Sequence, residues 1–181
     1  MNVRKFLNSI TTHVLFVICL AEAYYVGYKT PHSILPHIDA RLLPYMNEFV
    51  ADAATYGVSV YPESIGMIEF SDQMPTGDVG FCNTASRYWA ALGMNHTNVI
   101  FINSSIEDDI GTPYFKTIMY HELAHCLLDK SHDEEGSLTI MDPTPYGSDQ
   151  FWDRTWSQQV KDLFLRPEGD PAPNYHMEIR P

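Results

Sequence analysis

Apolar residues recur along this chain in two rhythms. In PYMNEFVADAATYG, residues 44–57, the residues Tyr45, Met46, Phe49, Val50 and Ala53 return every three or four positions, the spacing of one helical face. Pro44 suits the first helical position and Gly57 closes the run. IGMIEF (65–70) has the length of a strand, and NVIFIN (98–103) holds a continuous apolar run between two asparagines, as a buried strand does. VGFCN (79–83) and RYWAAL (87–92) read as short strands or a hairpin. Pro113 opens a helix that runs to about Leu128, and YFKTIMY within it is apolar at helical spacing. A loop rich in acid, glycine and serine follows. WSQQVKDLF (156–164) then predicts a second helix, with Trp156, Val160, Leu163 and Phe164 on one face. The order of helix, strands, helix, loop and helix predicts a single α+β domain over 41–166, with no internal repeat. Residues 24–40 read as a tether, and the Pro-rich tail over 167–181 is expected to be loosely held.

Ahead of that domain the pattern is of another kind. MNVRK is a short basic stretch, VLFVICL (14–20) a compact apolar one, and Ala21-Glu22-Ala23 has the small-x-small form of a signal-peptidase site. Residues 1–23 therefore read as a signal peptide cleaved after Ala23, or as an uncleaved signal anchor spanning about Phe6 to Val26. Either way the domain is expected outside the cytoplasm, secreted, periplasmic or tethered to a membrane through residues 6–26. A buried N-terminal helix is the structural alternative. Of three cysteines, Cys19 lies in this segment. Cys82 and Cys126 remain, either a disulfide pair in an oxidising compartment or, for Cys126, a thiol simply buried in its helix.

The formal net charge of −12 excludes nucleic acid as a natural partner, because phosphate binding needs a basic face. It permits cationic substrates or a structural calcium ion and singles out no site for either. Nothing in the pattern sets an oligomeric state.

The helix from Pro113 carries HELAH, residues 121–125. Residues four apart lie one turn apart on the same helical face, so His121 and His125 can direct two nitrogens at one ion. Zinc accepts imidazole readily, and a catalytic zinc takes three protein ligands and leaves a position for water. Glu122, one residue round the helix, can reach that water without ligating the metal, as a general base must. His132, seven residues after His125 in LLDKSHD, is the expected third ligand, with Asp129 and Asp133 as competitors. Asp133 is alternatively expected to accept an N–H from a ligand histidine. A ligand set completed by an acid from a later helix would have to use Glu134 or Glu135, which are too near, or Asp149 or Asp153, which lack a helical motif before them.

HELAHCLLDKSH followed by SLTIMDP resembles the metzincin class of zinc endopeptidases, and more closely the small metallopeptidases of phages and bacteria with HELxHCxLxxxH and a nearby S-x-x-M. The resemblance spans Asn98 to about Phe164. It implies a zincin-like domain with a mixed, mostly parallel sheet, an active-site helix and a C-terminal helix. It implies His121, His125 and His132 as zinc ligands, Glu122 as the base, and Met141 as the methionine of the tight turn beneath the metal. The stretch 79–92 would hold an edge strand that pairs with an extended polypeptide substrate. This chain departs from the class pattern in two places. Leu128 stands where the class has a glycine, and His132 comes one residue late, so Asp129 or Lys130 is expected to take the left-handed turn that ends the helix. Pro143 stands where some members carry a tyrosine, which leaves Tyr146 as a wall of the substrate pocket.

Two functions are therefore in play: a zinc-dependent metalloendopeptidase, and a catalytically inactive zinc-bearing binding or structural module of a virion or cell surface. An intact Glu122 favours the first. A fourth metal position closed by Asp129 or Asp133 would favour the second.

Overall fold

The computed structural model describes residues 37–75, 77–84, 98–144, 147–167, 169–173 and 175. The leader and most of the tether, RYWAAL and Tyr146 lie outside these. The described chain is α+β, with a mixed four-stranded sheet and three α-helices. In chain order these are β1 (His37–Ile38), α1 (Leu43–Thr55), β2 (Ile65–Ser71), β3 (Gly80–Asn83), β4 (Asn98–Asn103), α2 (Pro113–Leu128) and α3 (Asp149–Leu165). Among the described residues no helix is long and apolar enough to cross a membrane.

The sheet order is β1-β2-β4-β3. β1, β2 and β4 are parallel, and β3 runs antiparallel along β4 with Gly80 opposite Ile102 and Asn83 opposite Val99. Ile65 and Ile68 of β2 and Ile100 and Ile102 of β4 are wholly or almost wholly buried, as the apolar runs require of central strands. α2 packs on β3 and β4 and also on α1 and α3. That explains why its buried residues run without a break from Thr117 to Ala124: a helix packed on two strands and two helices keeps little surface beyond the cleft that its histidines and Glu122 line. Phe49 of α1 packs against Tyr120 and Phe164, and Tyr120 packs edge-on to Trp156, so the three helices share one aromatic seam. The Tyr120 hydroxyl donates to Asp52 at 2.7 Å, which satisfies the one polar atom that ring brings into the core.

The ends of α2 follow its local chemistry. Thr112 accepts from the Phe115 N–H at 3.1 Å and Pro113 takes the first turn. Asp129 ends the helix in the left-handed conformation (φ 56°, ψ 31°), the role glycine usually fills.

Three expectations need correction. The last helix begins at Asp149, seven residues before Trp156: Ser148 caps it, and Phe151 and Trp152 bury themselves in a satellite cluster. Polar Asp149, Asp153 and Arg154 interrupt the apolar pattern there and hide the first two turns. The tether is not free throughout, since His37 and Ile38 pair with Met67 and Ile68. Nor is the tail wholly loose: Tyr175 is buried on Phe151 and Trp152, and its hydroxyl donates to Asp162. One aromatic is enough to anchor a Pro-rich segment whose composition alone reads as unstructured.

Candidate metal centre

α2 delivers His121 and His125 on one face, and the chain after Asp129 swings His132 back over them. Their Nε2 atoms lie 2.9–3.0 Å from one another. These three side chains are the one group among the described residues with metal-ligand geometry, and neither Asp129 nor Asp133 belongs to it. His121 is buried, His125 half-buried and His132 exposed, so the cluster opens to solvent on one side.

The hydrogen bonds decide which lone pairs converge. His121 Nδ1 lies 2.7 Å from the Ile140 carbonyl oxygen, and His125 Nδ1 lies 2.6 Å from that of Lys130. A carbonyl only accepts, so both Nδ1 atoms carry hydrogen, and in a neutral ring Nε2 is then a bare lone pair. Burial first, and the other histidines second, hold His121 neutral down to about pH 3. Burial likewise lowers the pKa of His125. Two lone pairs facing each other at 2.9 Å repel unless a cation lies between them. Nitrogens ~2.0–2.1 Å from one tetrahedral ion stand ~3.3 Å apart, a little wider than the observed triangle. The donor set therefore fits a divalent metal ion of the kind imidazole prefers.

Asp133 corrects a further expectation. Its carboxylate meets no histidine: it takes both Nη2 contacts of Arg166 at 2.5 and 2.6 Å and the Thr139 hydroxyl at 2.6 Å. The partners of the histidines are main-chain carbonyls instead. The Asp133 N–H donates to the Met141 carbonyl at 2.8 Å, tying the third histidine to the Thr139–Asp142 turn. Met141 itself is buried at that turn. Asp142, also buried, accepts from the N–H groups of Leu138 and Thr144 at 3.0 Å each, closing the loop on both sides.

Glu122 lies in the same cleft, 5 % exposed. Burial pushes its carboxyl up to about 8, against the Cys82 main-chain N–H that donates to it, and the nearby Asp78 pushes the same way as burial. The cleft measures about 770 Å³ and is lined by the three histidines, Glu122, β3 and the first turns of α2. Tyr114 and Phe81 form part of its walls, and burial raises the Tyr114 pKa. Neither residue stands out in the sequence, where each looks like any core aromatic. Gly80 did carry a signal, because a glycine inside a strand often marks a close approach. A Cβ there would stand 2.5 Å from Glu122 Oε1. Cys82 and Cys126 form a disulfide, Cα atoms 5.8 Å apart, and join β3 to α2.

Comparison with protein-family models, with curated proteins and with solved structures finds no match to this chain.

Proposed function

We propose that this protein is a zinc-dependent metalloendopeptidase with a metzincin-like fold, acting outside the cytoplasm. The observation that carries the reading is the meeting, in one open cleft, of three imidazole nitrogens grouped at metal-ligand distances and a buried carboxylate that is not one of the group. An antiparallel strand at the margin of the sheet among the described residues, beside the HELAH helix, and a buried methionine turn behind the third histidine support the fold assignment. A disulfide supports export, since such bonds persist in oxidising compartments.

His121, His125 and His132 would hold the zinc, which when bound acidifies a water and polarises a carbonyl. Glu122 takes the proton from the attacking water and returns it to the leaving amine. Its raised pKa in the metal-free chain means that it holds a proton readily, which the second step requires. The lone pairs of His121 and His125 stay aimed because Ile140 and Lys130 fix the other side of each ring. β3 forms one wall of the cleft, and an extended polypeptide laid along it would gain main-chain hydrogen bonds with loose sequence preference. The inactive-module alternative needs a carboxylate on the fourth metal position. Asp133 is committed to Arg166, and Asp129 is not part of the histidine group.

The test is elemental analysis of the full chain after dialysis against metal-free buffer, followed by digestion of an unfolded protein with the native sequence and with Glu122→Gln. One zinc per chain, cleavage by the native sequence and none by the variant is the expected result. A folded chain that takes up no zinc sinks the reading.

A further inference from the structure

We propose that the Cys82–Cys126 disulfide is a positioning device for Glu122, holding β3 on α2 so that the carboxylate is seated beside the histidines, and that its reduction silences turnover while the metal site stays intact. This rests on the endopeptidase reading. Glu122 and Cys126 are four residues apart on α2, so both face the same neighbour. That neighbour is β3, and one residue of it meets both: the Cys82 N–H donates to the Glu122 carboxylate, and Cys82 Sγ is bonded to Cys126. Gly80, two residues earlier, leaves the space that the Glu122 carboxylate fills. β3 is only four residues long and, among the described residues, lies at the end of the sheet order with β4 as its neighbour. A short strand at a sheet margin is weakly held by its ladder, and here a covalent bond adds what the ladder lacks.

The histidines do not depend on that bond. His121 and His125 are fixed by the carbonyls of Ile140 and Lys130, and the segment carrying His132 by Arg166 and the methionine turn. All of these partners come from the segment 130–166, which follows α2 in the chain, whereas β3 precedes it. Breaking the disulfide therefore loosens the base and leaves the ligands. Cys126 retains a second hold on the sheet, because Asn98 Nδ2 donates to its carbonyl at 2.6 Å, so α2 keeps its place on β4. The consequence is a compartment gate: silent while the thiols are reduced, competent once they are oxidised.

A phosphine reductant tests this with balanced chemistry. The phosphorus is oxidised and takes the oxygen of a water, and the S–S bond accepts two electrons and two protons to give two thiols. The full chain, zinc-loaded, is compared oxidised, reduced with such a phosphine, reoxidised, and as the double variant Cys82→Ser with Cys126→Ser. Expected on reduction are unchanged zinc content, a kcat lower by on the order of 10- to 100-fold with a smaller change in KM, and recovery on reoxidation. The Cys82 amide should exchange its hydrogen at least roughly tenfold faster, as an edge amide released from its acceptor does. The double variant should behave as the reduced chain. Undiminished turnover, loss of zinc on reduction, or loss of near-ultraviolet circular dichroism each overturns the proposal, the last because the bond would then carry the fold rather than the seat of Glu122. If the oxidised zinc-loaded chain cleaves no peptide, the endopeptidase reading fails by itself. Amide exchange then decides the positioning, with unchanged protection on reduction refuting it.

Discussion

On one side of the cleft two histidines are held by main-chain carbonyls and the segment of the third by an ion pair and a turn; on the other, a four-residue strand is held by its ladder, its packing on α2 and one disulfide. The metal side draws on two carbonyl acceptors, an Arg166–Asp133 ion pair with little exposure and a turn closed around buried Asp142. The β3 side offers Glu122 one main-chain N–H and the space above a glycine. The geometry of the proposed ligands is thus set within one stretch of chain, residues 121–166, whereas the placing of Glu122, the proposed base, needs a strand some forty residues upstream. The difference suggests that metal affinity and turnover can be changed separately.

Glu122→Gln is the sharpest separation: turnover should fall by ~10²–10⁴-fold, the usual worth of a general base, with one zinc retained by elemental analysis. His132→Ala breaks the other side. Its zinc affinity should drop by more than ~100-fold, beyond what loss of a ligand's supporting partner costs, as measured by competition with a chromophoric chelator. Arg166→Met leaves the Asp133 carboxylate with the Thr139 hydroxyl in a partly buried place. Roughly 3 kcal/mol of stability should be lost, read as a lower urea midpoint, with zinc binding weakened along with it. Gly80→Ala touches only the β3 side: a methyl 2.5 Å from Glu122 Oε1 must displace it. Turnover should fall about tenfold with zinc content unaltered.

The smallest effect is on pH dependence in the metal-free chain. The unfolded Glu122 carboxyl loses its proton near 4.5 and the folded one near 8, so between these the folded state holds the extra proton and stability falls as pH rises. His121 works the other way at lower pH. Folded, it stays neutral down to about 3; unfolded, it takes a proton below 6.5, so its contribution is lost as pH falls from there. From pH 6.5 to 8 the Glu122 effect is therefore separable, and Glu122→Gln should flatten that limb of a urea-midpoint profile. An unchanged slope would show that the carboxyl is not held as its burial implies.

Much of the metal side was legible in the chain. A spacing of four on a helix fixes two side chains on one face whatever surrounds them, and Pro113 and the apolar run around HELAH mark a rigid carrier. Position alone made His132 the third donor, although the missing glycine left open which residue would turn the chain. The identities of β2, β3 and β4 followed from short apolar runs, which need no knowledge of their neighbours, whereas β1, two residues long, reads as tether. The start of α3 and the anchoring of Tyr175 were illegible, because polar residues interrupt the pattern and a single aromatic gives no period.

What the sequence determined by itself is local: periodicity, capping and the spacing of HELAH act through a few bonds or one helical turn. What only the tertiary structure decided is everything that depends on through-space distance. It brought Cys82 within bonding reach of Cys126, 44 residues away, turned Asp133 toward Arg166 instead of a histidine, and laid β3 close enough to Glu122 that a Cβ at Gly80 would displace the carboxylate. Residue types say what a side chain can pair with, and the packing of α2 between the sheet and two helices selects which pairings come within reach.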